Sequence, residues 1–193
     1  MKIAIIKYNA GNVQSVIYAL QRFGIEPVLT DDTEYIQHAD KVIFPGQGEA
    51  SSAIRYLKSK KLDELIVNLK QPVLGICIGL QLMCSHSEEG NTPCLGIFKE
   101  KVKKFPPKDK VPHIGWNTLE TKKGMLLENL RDDAYLYYVH SYYAEVGDDT
   151  VGETNYILPF SAVMEKDNFY AIQAHPEKSG KDGEVILKNF LAL

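Results

Sequence analysis

Residues 2–24, KIAIIKYNAGNVQSVIYALQRFG, set the pattern of the chain: a buried-strand run, a turn and an amphipathic helix. KIAII (2–6) is short and continuously apolar, YNAGN (8–12) supplies turn residues, and VQSVIYALQRFG (13–24) carries apolar residues at helical spacing and ends on glycine. The unit then recurs. EPVLT (26–30), KVIFPG (41–46) and PVLGI (72–76) read as further strands, residues 49–70 have leucines and isoleucines at helical spacing, and PVLGI runs straight into the helix candidate IGLQLMCSH. Strands alternating with helices predict an α/β fold with a mostly parallel sheet, covered on both faces by right-handed crossover helices. From about residue 94 the pieces shorten to KEKVKKF, AYLYYVHSYYAEV and NFYAIQ, which predicts mixed or antiparallel strands in the C-terminal half. DGEVILKNFLAL (182–193) closes with an apolar helical face that should pack back onto the sheet.

The chain has 193 residues, 45% apolar and 24% charged, enough to bury one sizeable core without disulfide or metal staples. Residues 1–193 are therefore expected to form a single domain, with no internal repeat and no linker rich in serine, glycine or proline. That size leaves no room for a second substrate domain of normal size, so chemistry joining two distant substrates would need compactness or a partner chain. A formal charge of -3 offers no basic field for a phosphate backbone, which argues against nucleic-acid binding. MKIAIIKY is too short for a secretory core, the three cysteines cannot all pair, and no apolar stretch approaches ~20 residues. The expectation is a cytoplasmic protein without membrane insertion.

LGICIGLQ (74–81) is the most specific local signal, with glycines two residues either side of Cys77 just beyond an apolar strand. A sharp strand-to-helix turn brings backbone segments close together, so Gly75 and Gly79 would relieve clashes while the Cys77 side chain is presented above the sheet edge. Backbone N–H groups opening the next helix favour a thiolate and leave donors for an oxyanion. The alternative is a buried cysteine between packing glycines, a common use of a small apolar side chain. Cys84, seven residues along an intact helix, is expected in the core, and Cys94 in NTPCLG as a structural thiol; no metal cluster is expected.

A nucleophilic cysteine needs a base, and NFYAIQAHPEKSG offers His175 at a strand end with Glu177 two residues on. Pro176 biases His175 toward extended backbone, which puts both side chains on one side. Glu177 would then orient the imidazole and support its charged form; spacing alone equally allows a loop histidine beside a solvated glutamate. PGQGE (45–49) lacks the G-K-[ST] of a phosphate-binding loop, which disfavours nucleotide hydrolysis and leaves its N–H groups as oxyanion donors or as a plain turn. YVHSY (138–142) is a further strand-end segment where His140 packs, or where backbone groups meet a polar substrate.

Taken in order, KYNAGN (7–12), FPGQGE (44–49), LGICIGLQ (74–81), VPHIGWN (111–117), YYVHSY (137–142) and IQAHPEKS (172–179) resemble the class-I, triad-type glutamine amidotransferases over nearly the whole chain. The resemblance is greatest to those that serve as glutaminase subunits of imidazole glycerol phosphate synthase. It implies a flavodoxin-like central sheet, Cys77 as nucleophile, His175 as base and acid, and Glu177 as its orienter. It also implies a glutamine and oxyanion site from Gly46, Gln47, Gly48, Ile78, Gln81, His140, Ser141 and Tyr142, without cofactor or metal. Ammonia would pass to a separate cyclase barrel, forming imidazole glycerol phosphate and AICAR in histidine biosynthesis, so the expected partner makes a heterodimer. Asn12, Trp116 and Asn117 are the candidates for the partner face, Trp116 being alternatively a partly buried core anchor. Gln47 departs from the family, which often has a small apolar residue there, and Ala174 stands where phenylalanine is common. A glutaminase for pyridoxal phosphate synthesis is one competing reading, against which VPHIGWN with YYVHSY favours the histidine pathway; a noncatalytic partner-binding module is the other, which an occluded Cys77 or a divergent glutamine pocket would favour.

Overall fold

A strand whose residues are apolar on both faces must be covered on both faces, and three such runs occupy the centre of the molecule. The computed structural model describes residues 1–8, 11 and 13–193, with Thr121 and Lys122 described by backbone only. In chain order the first half comprises β1 (Ile3–Ile6), α1 (Val13–Gln21), β2 (Val28–Thr30), α2 (Thr33–Gln37), β3 (Lys41–Phe44), α3 (Ala50–Ser59), α4 (Leu62–Asn68), β4 (Val73–Ile76) and α5 (Ile78–Met83). The second half adds β5 (His86–Ser87), β6 (Thr92–Pro93), β7 (Lys101–Lys104), β8 (His113–Thr118), β9 (Thr121–Lys122), β10 (Tyr135–His140), β11 (Tyr142–Ala144), β12 (Thr150–Tyr156), β13 (Leu158–Lys166), β14 (Phe169–Ile172) and α6 (Gly180–Ala192). Every residue of β1, β3 and β4 is buried.

The parallel part of the sheet runs β2-β1-β3-β4-β14. That is the flavodoxin-like order, in which ligands sit beyond the carboxyl ends of the strands. Side chains alternate between the two faces. Ile3, Ile5, Ile43, Leu74 and Ile76 pack with Val16, Ala19 and Leu20 of α1 and Ile186, Leu187 and Phe190 of α6. Ala4, Ile6, Val42, Phe44 and Val73 pack instead with α3, α4 and α5 through residues such as Ala53, Leu57, Ile66 and Leu80. The period of two along the strand thus assigns each helix to a layer.

Local details differ from the sequence expectation where a few hydrogen bonds decide. α1 stops at Gln21, and the chain turns through Gly24 at φ 73°, where Gly24 N–H donates to Gln21 O and Ile25 N–H to Leu20 O. The helical stretch at 49–70 is two helices, broken at Lys61, whose φ is 58°. The short α2 is an addition, capped by Asp32, whose carboxylate accepts from Tyr35 N–H at 2.8 Å. α5 ends at Met83, so Cys84 lies beyond the helix and not along it. It is fully buried, as expected for a core thiol.

In the second half NFYAIQ has the mixed pairing expected of it: β14 is the fifth strand of the parallel part, with Ile172 opposite Ile76, and its other edge, against β13, is antiparallel. One correction falls nearby. AYLYYVHSYYAEV is divided at Ser141 between two sheets: β10 pairs with β8 in a two-stranded sheet, while β11 joins β7 and β13 in the large one. The corner is fixed by Phe105 N–H donating to Ser141 O at 3.0 Å and by His140 Nδ1 donating to Tyr142 O at 2.7 Å.

Candidate active site

Cys77 joins β4 to α5 at φ 54° and ψ -106°, a backbone region that side-chain-bearing residues enter at a cost of roughly 1–3 kcal/mol. Its N–H extends the β14 ladder, donating to Ile172 O at 2.8 Å, and its carbonyl accepts the first helical bond, from Gln81 N–H at 3.3 Å. The turn is possible because its flanks lack side chains. A Cβ at Gly79 would lie 1.9 Å from the Phe44 carbonyl oxygen, and one at Gly75 would lie 2.9 Å from both the Gly79 carbonyl carbon and Met83 Sδ. The G-x-C-x-G spacing is therefore a packing requirement that leaves Cys77 6% exposed at the end of the sheet.

His175 follows β14, and its backbone is held at both ends. Its N–H donates to Tyr137 O at 2.8 Å, and its carbonyl accepts from Ser179 Oγ at 2.7 Å. Its Nδ1 lies 2.8 Å from Glu177 Oε1, with each side chain only 2% exposed. Nε2 is buried without a hydrogen bond of normal geometry and lies within electrostatic reach of Cys77. Burial opposes charging of this ring, but Cys77 and Glu177 together outweigh it and raise the His175 pKa to about 10. Cys77, His175 and Glu177 thus form one electrostatic unit.

Beside Cys77 is a cavity of about 300 Å³ lined by Gln47, Gly48, Cys77, Ile78, Gln81, Glu89, Pro112, Val139, His140, Ser141 and Tyr142. Seven of the eight residues expected around a substrate, all except Gly46, are in that wall. The Pro45–Gly48 segment is tied to the first loop: Tyr8 Oη donates to Pro45 O, and Gly11 N–H donates to Gln47 O at 2.8 Å. Gln81 is 5% exposed, and its Nε2 donates to Tyr142 O at 2.9 Å and to Gln173 Oε1 at 3.0 Å.

His140 is a buried hydrogen-bonded ring. Because Tyr142 O only accepts, Nδ1 of His140 carries the proton, and Nε2, 3.1 Å from His113 Nδ1, is the acceptor. Burial pulls the pKa of His140 down to about 3 and of His113 to about 4, so both rings are neutral at pH 7. His113 is also sandwiched between Tyr138 and Tyr156, with centroids at 5.0 Å and 4.0 Å.

Sequence reasoning missed Glu89, Pro112 and Val139 in the wall and Gln173 behind it. Glu89 stands in an acidic-glycine segment that reads as a solvated turn, and Gln173 lies only two residues before His175. Trp116 is 54% exposed on β8, which excludes the core-anchor reading. Its neighbours on β8 and β10 include the exposed Ile114 and Tyr135, and Trp116 meets Tyr137 edge-on at 5.8 Å. Asn117, on the same strand, donates from Nδ2 to Asn155 O at 3.1 Å. Asn12 lies outside the described residues. Among the described residues no group of three or more His, Cys, Asp or Glu side chains could hold a metal, and no helix is long and apolar enough to cross a membrane.

A cysteine on a strained strand-to-helix turn, a histidine paired with a carboxylate and a small cavity beside the cysteine make up the candidate site. Residues 4–193 fit the family model of glutamine amidotransferase class-I, and the chain belongs to that family. It is 58% identical to imidazole glycerol phosphate synthase subunit HisH of Bacteroides thetaiotaomicron and 44% identical to that of Pectobacterium atrosepticum, each alignment covering all of both chains. Among solved structures, a Thermoplasma acidophilum protein described as a GMP synthase subunit superposes at TM-score 0.78 with 19% identity, over 100% of this chain and 92% of that one. A structure described as a glutamine amidotransferase gives TM-score 0.75 at 16% identity, over 98% and 97% of the two chains. These two share the fold.

Proposed function

We propose that residues 1–193 form a single-domain glutaminase subunit of imidazole glycerol phosphate synthase, working in the cytoplasm without metal or cofactor. The observation that carries this is the grouping of Cys77, His175 and Glu177, with Cys77 in the wall of the cavity. Whole-length similarity to the HisH subunits supports the choice of pathway.

In this reading Cys77 Sγ attacks the side-chain amide carbon of glutamine. The proton held on His175 passes to the departing nitrogen, releasing ammonia and leaving a γ-glutamyl thioester. Water then adds to the thioester carbon, His175 takes a proton from it, and sulfur leaves with glutamate as product, so glutamine plus water yields glutamate plus ammonia. Glu177 fixes the imidazole and supports its cationic form at each stage. Backbone N–H groups of the Gly46–Gly48 segment and of Ile78 receive the developing oxyanion. Glu89, the one carboxylate in the wall, faces the substrate's α-ammonium group, while Gln81, His140, Ser141 and Tyr142 shape the rest of the pocket.

The partner is a cyclase barrel that receives the ammonia, and a closed passage keeps it from being protonated by bulk water. The exposed face bearing Ile114, Trp116 and Tyr135 is the docking surface, with Asn117 beside it. It reaches the site along β10, since Val139 is both opposite Ile114 and part of the cavity wall. The test is to supply glutamine to the chain alone, then with the cyclase partner and its acceptor, measuring glutamate and imidazole glycerol phosphate separately. Both products should appear together, and Cys77→Ala should abolish them while ammonia-fed synthesis by the partner continues. Glutamate without imidazole product would reject the pathway; no glutamate under either condition would reject the glutaminase.

A further inference from the structure

Gln173 is a fully buried amide that the three-residue mechanism leaves without a task. It stands one residue past β14, with its backbone N–H donating to Ala162 O at 2.8 Å. Its Nε2 lies 3.6 Å from Cys77 Sγ, and its Oε1 accepts from Gln81 Nε2 at 3.0 Å. The orientation of this amide follows from its neighbours. Tyr142 O can only accept, so Gln81 must turn its NH2 group toward it. The second hydrogen of that NH2 group meets Gln173, which must therefore present oxygen to Gln81 and NH2 to the sulfur. A main-chain carbonyl in the substrate pocket thereby sets a donor on the nucleophile.

We propose that Gln173 is a fourth catalytic residue, donating a hydrogen bond to the Cys77 sulfur while it carries negative charge. This rests on Cys77 being the nucleophile of the glutaminase reaction. An amide donor has no proton to lose, so it supports the thiolate without competing with His175 for the transferred proton. The bond weakens when sulfur becomes a neutral thioester, and Gln173 then no longer restrains the acyl group. Support for a thiolate raises its population but lowers its intrinsic reactivity, and only about half of the logarithmic gain survives. The benefit is accordingly greatest at acid pH, and where sulfur is fully ionised only the lowered intrinsic reactivity remains.

This predicts a signature that a space-filling role would not give. In Gln173→Met, similar in length but without donors, the acid limb of the rate of Cys77 alkylation by iodoacetamide should move to higher pH. With the cyclase partner and its acceptor, kcat should fall about three- to tenfold on the acid side and not fall on the alkaline plateau, with KM for glutamine nearly unchanged. Gln173→Leu also removes the donor without adding a charge and should shift the limb in the same direction, so the question survives if the methionine variant folds poorly. Unshifted alkylation limbs in a folded variant, or a loss of turnover equal at all pH values, would overturn the proposal. Alkylation uses no glutamine and reads the sulfur even if wild-type protein releases no glutamate, so the two readings fail separately.

Discussion

Glu89 shows how a single charge can be assigned a task from its surroundings. The carboxylate is partly buried, accepts from Ala50 N–H at 2.8 Å, and has its pKa raised by burial, with Glu49 adding repulsion. Holding an anion in such a place is costly unless a cation arrives, and glutamine carries one on its α-nitrogen. Glu89→Gln keeps the shape and removes the charge. The expected result is a KM for glutamine raised by about 5- to 30-fold, a loss of roughly 1–2 kcal/mol, with kcat altered less than about threefold. Steady-state kinetics with the partner saturating would decide it, and an unchanged KM would remove Glu89 from the α-ammonium site. Neither Glu89 nor Gln173 was legible as functional in the sequence, because each acquires its meaning from a side chain or cavity far away in the chain. Cys77, His175 and Glu177 were legible because turn chemistry and a two-residue spacing mark them locally, though their meeting is a property of the fold.

At the level of elements, the break between α3 and α4 illustrates a feature that composition conceals. The run KSKKLDE (58–64) contains no glycine, asparagine or proline, yet Lys61 occupies the left-handed region at φ 58° with no side-chain cap. A side chain there costs roughly 1–2 kcal/mol. Lys61→Gly should therefore raise the stability of the folded chain by about 0.5–1 kcal/mol after its greater unfolded-state entropy is counted. Urea unfolding should show this as a higher midpoint at constant slope, and a lower midpoint would mean that Lys61 makes a contact worth more than its backbone strain. Strand identity was similarly legible where sheet membership was not. The tyrosine-rich run from 135 to 144 reads as extended throughout, but its division at Ser141 depends on Phe105 and Tyr142, and β14 becomes parallel only because β4 lies beside it.

For the molecule as a whole, the neutral histidine pair sets a dependence of stability on pH. His113 and His140 have folded pKa values of about 4 and about 3, below the unfolded value near 6.5. The unfolded chain therefore binds more protons between those limits, so stability is fully present above pH 6.5 and declines as pH falls toward 4. By pH 5 the expected loss is on the order of 2 kcal/mol for each ring. His175 has the opposite shift, to about 10, and its contribution is constant below pH 6.5 and lost as pH rises through 10. Glu89, raised by burial, offsets part of the acid loss. Urea titrations at pH 6.5 and pH 5 should show the decline, and equal stability at the two values would mean that the rings charge as readily inside the fold as outside it.

The backbone at Cys77 sets the interests of the folded molecule against those of its chemistry. Any side chain at φ 54° and ψ -106° is strained, whereas glycine accepts that conformation with ease. Chains under pressure only to fold firmly would discard the sulfur at position 77, and chains that must cleave an amide must keep it. A lineage released from the second demand would drift toward glycine there, leaving an inert descendant sturdier than its working ancestor.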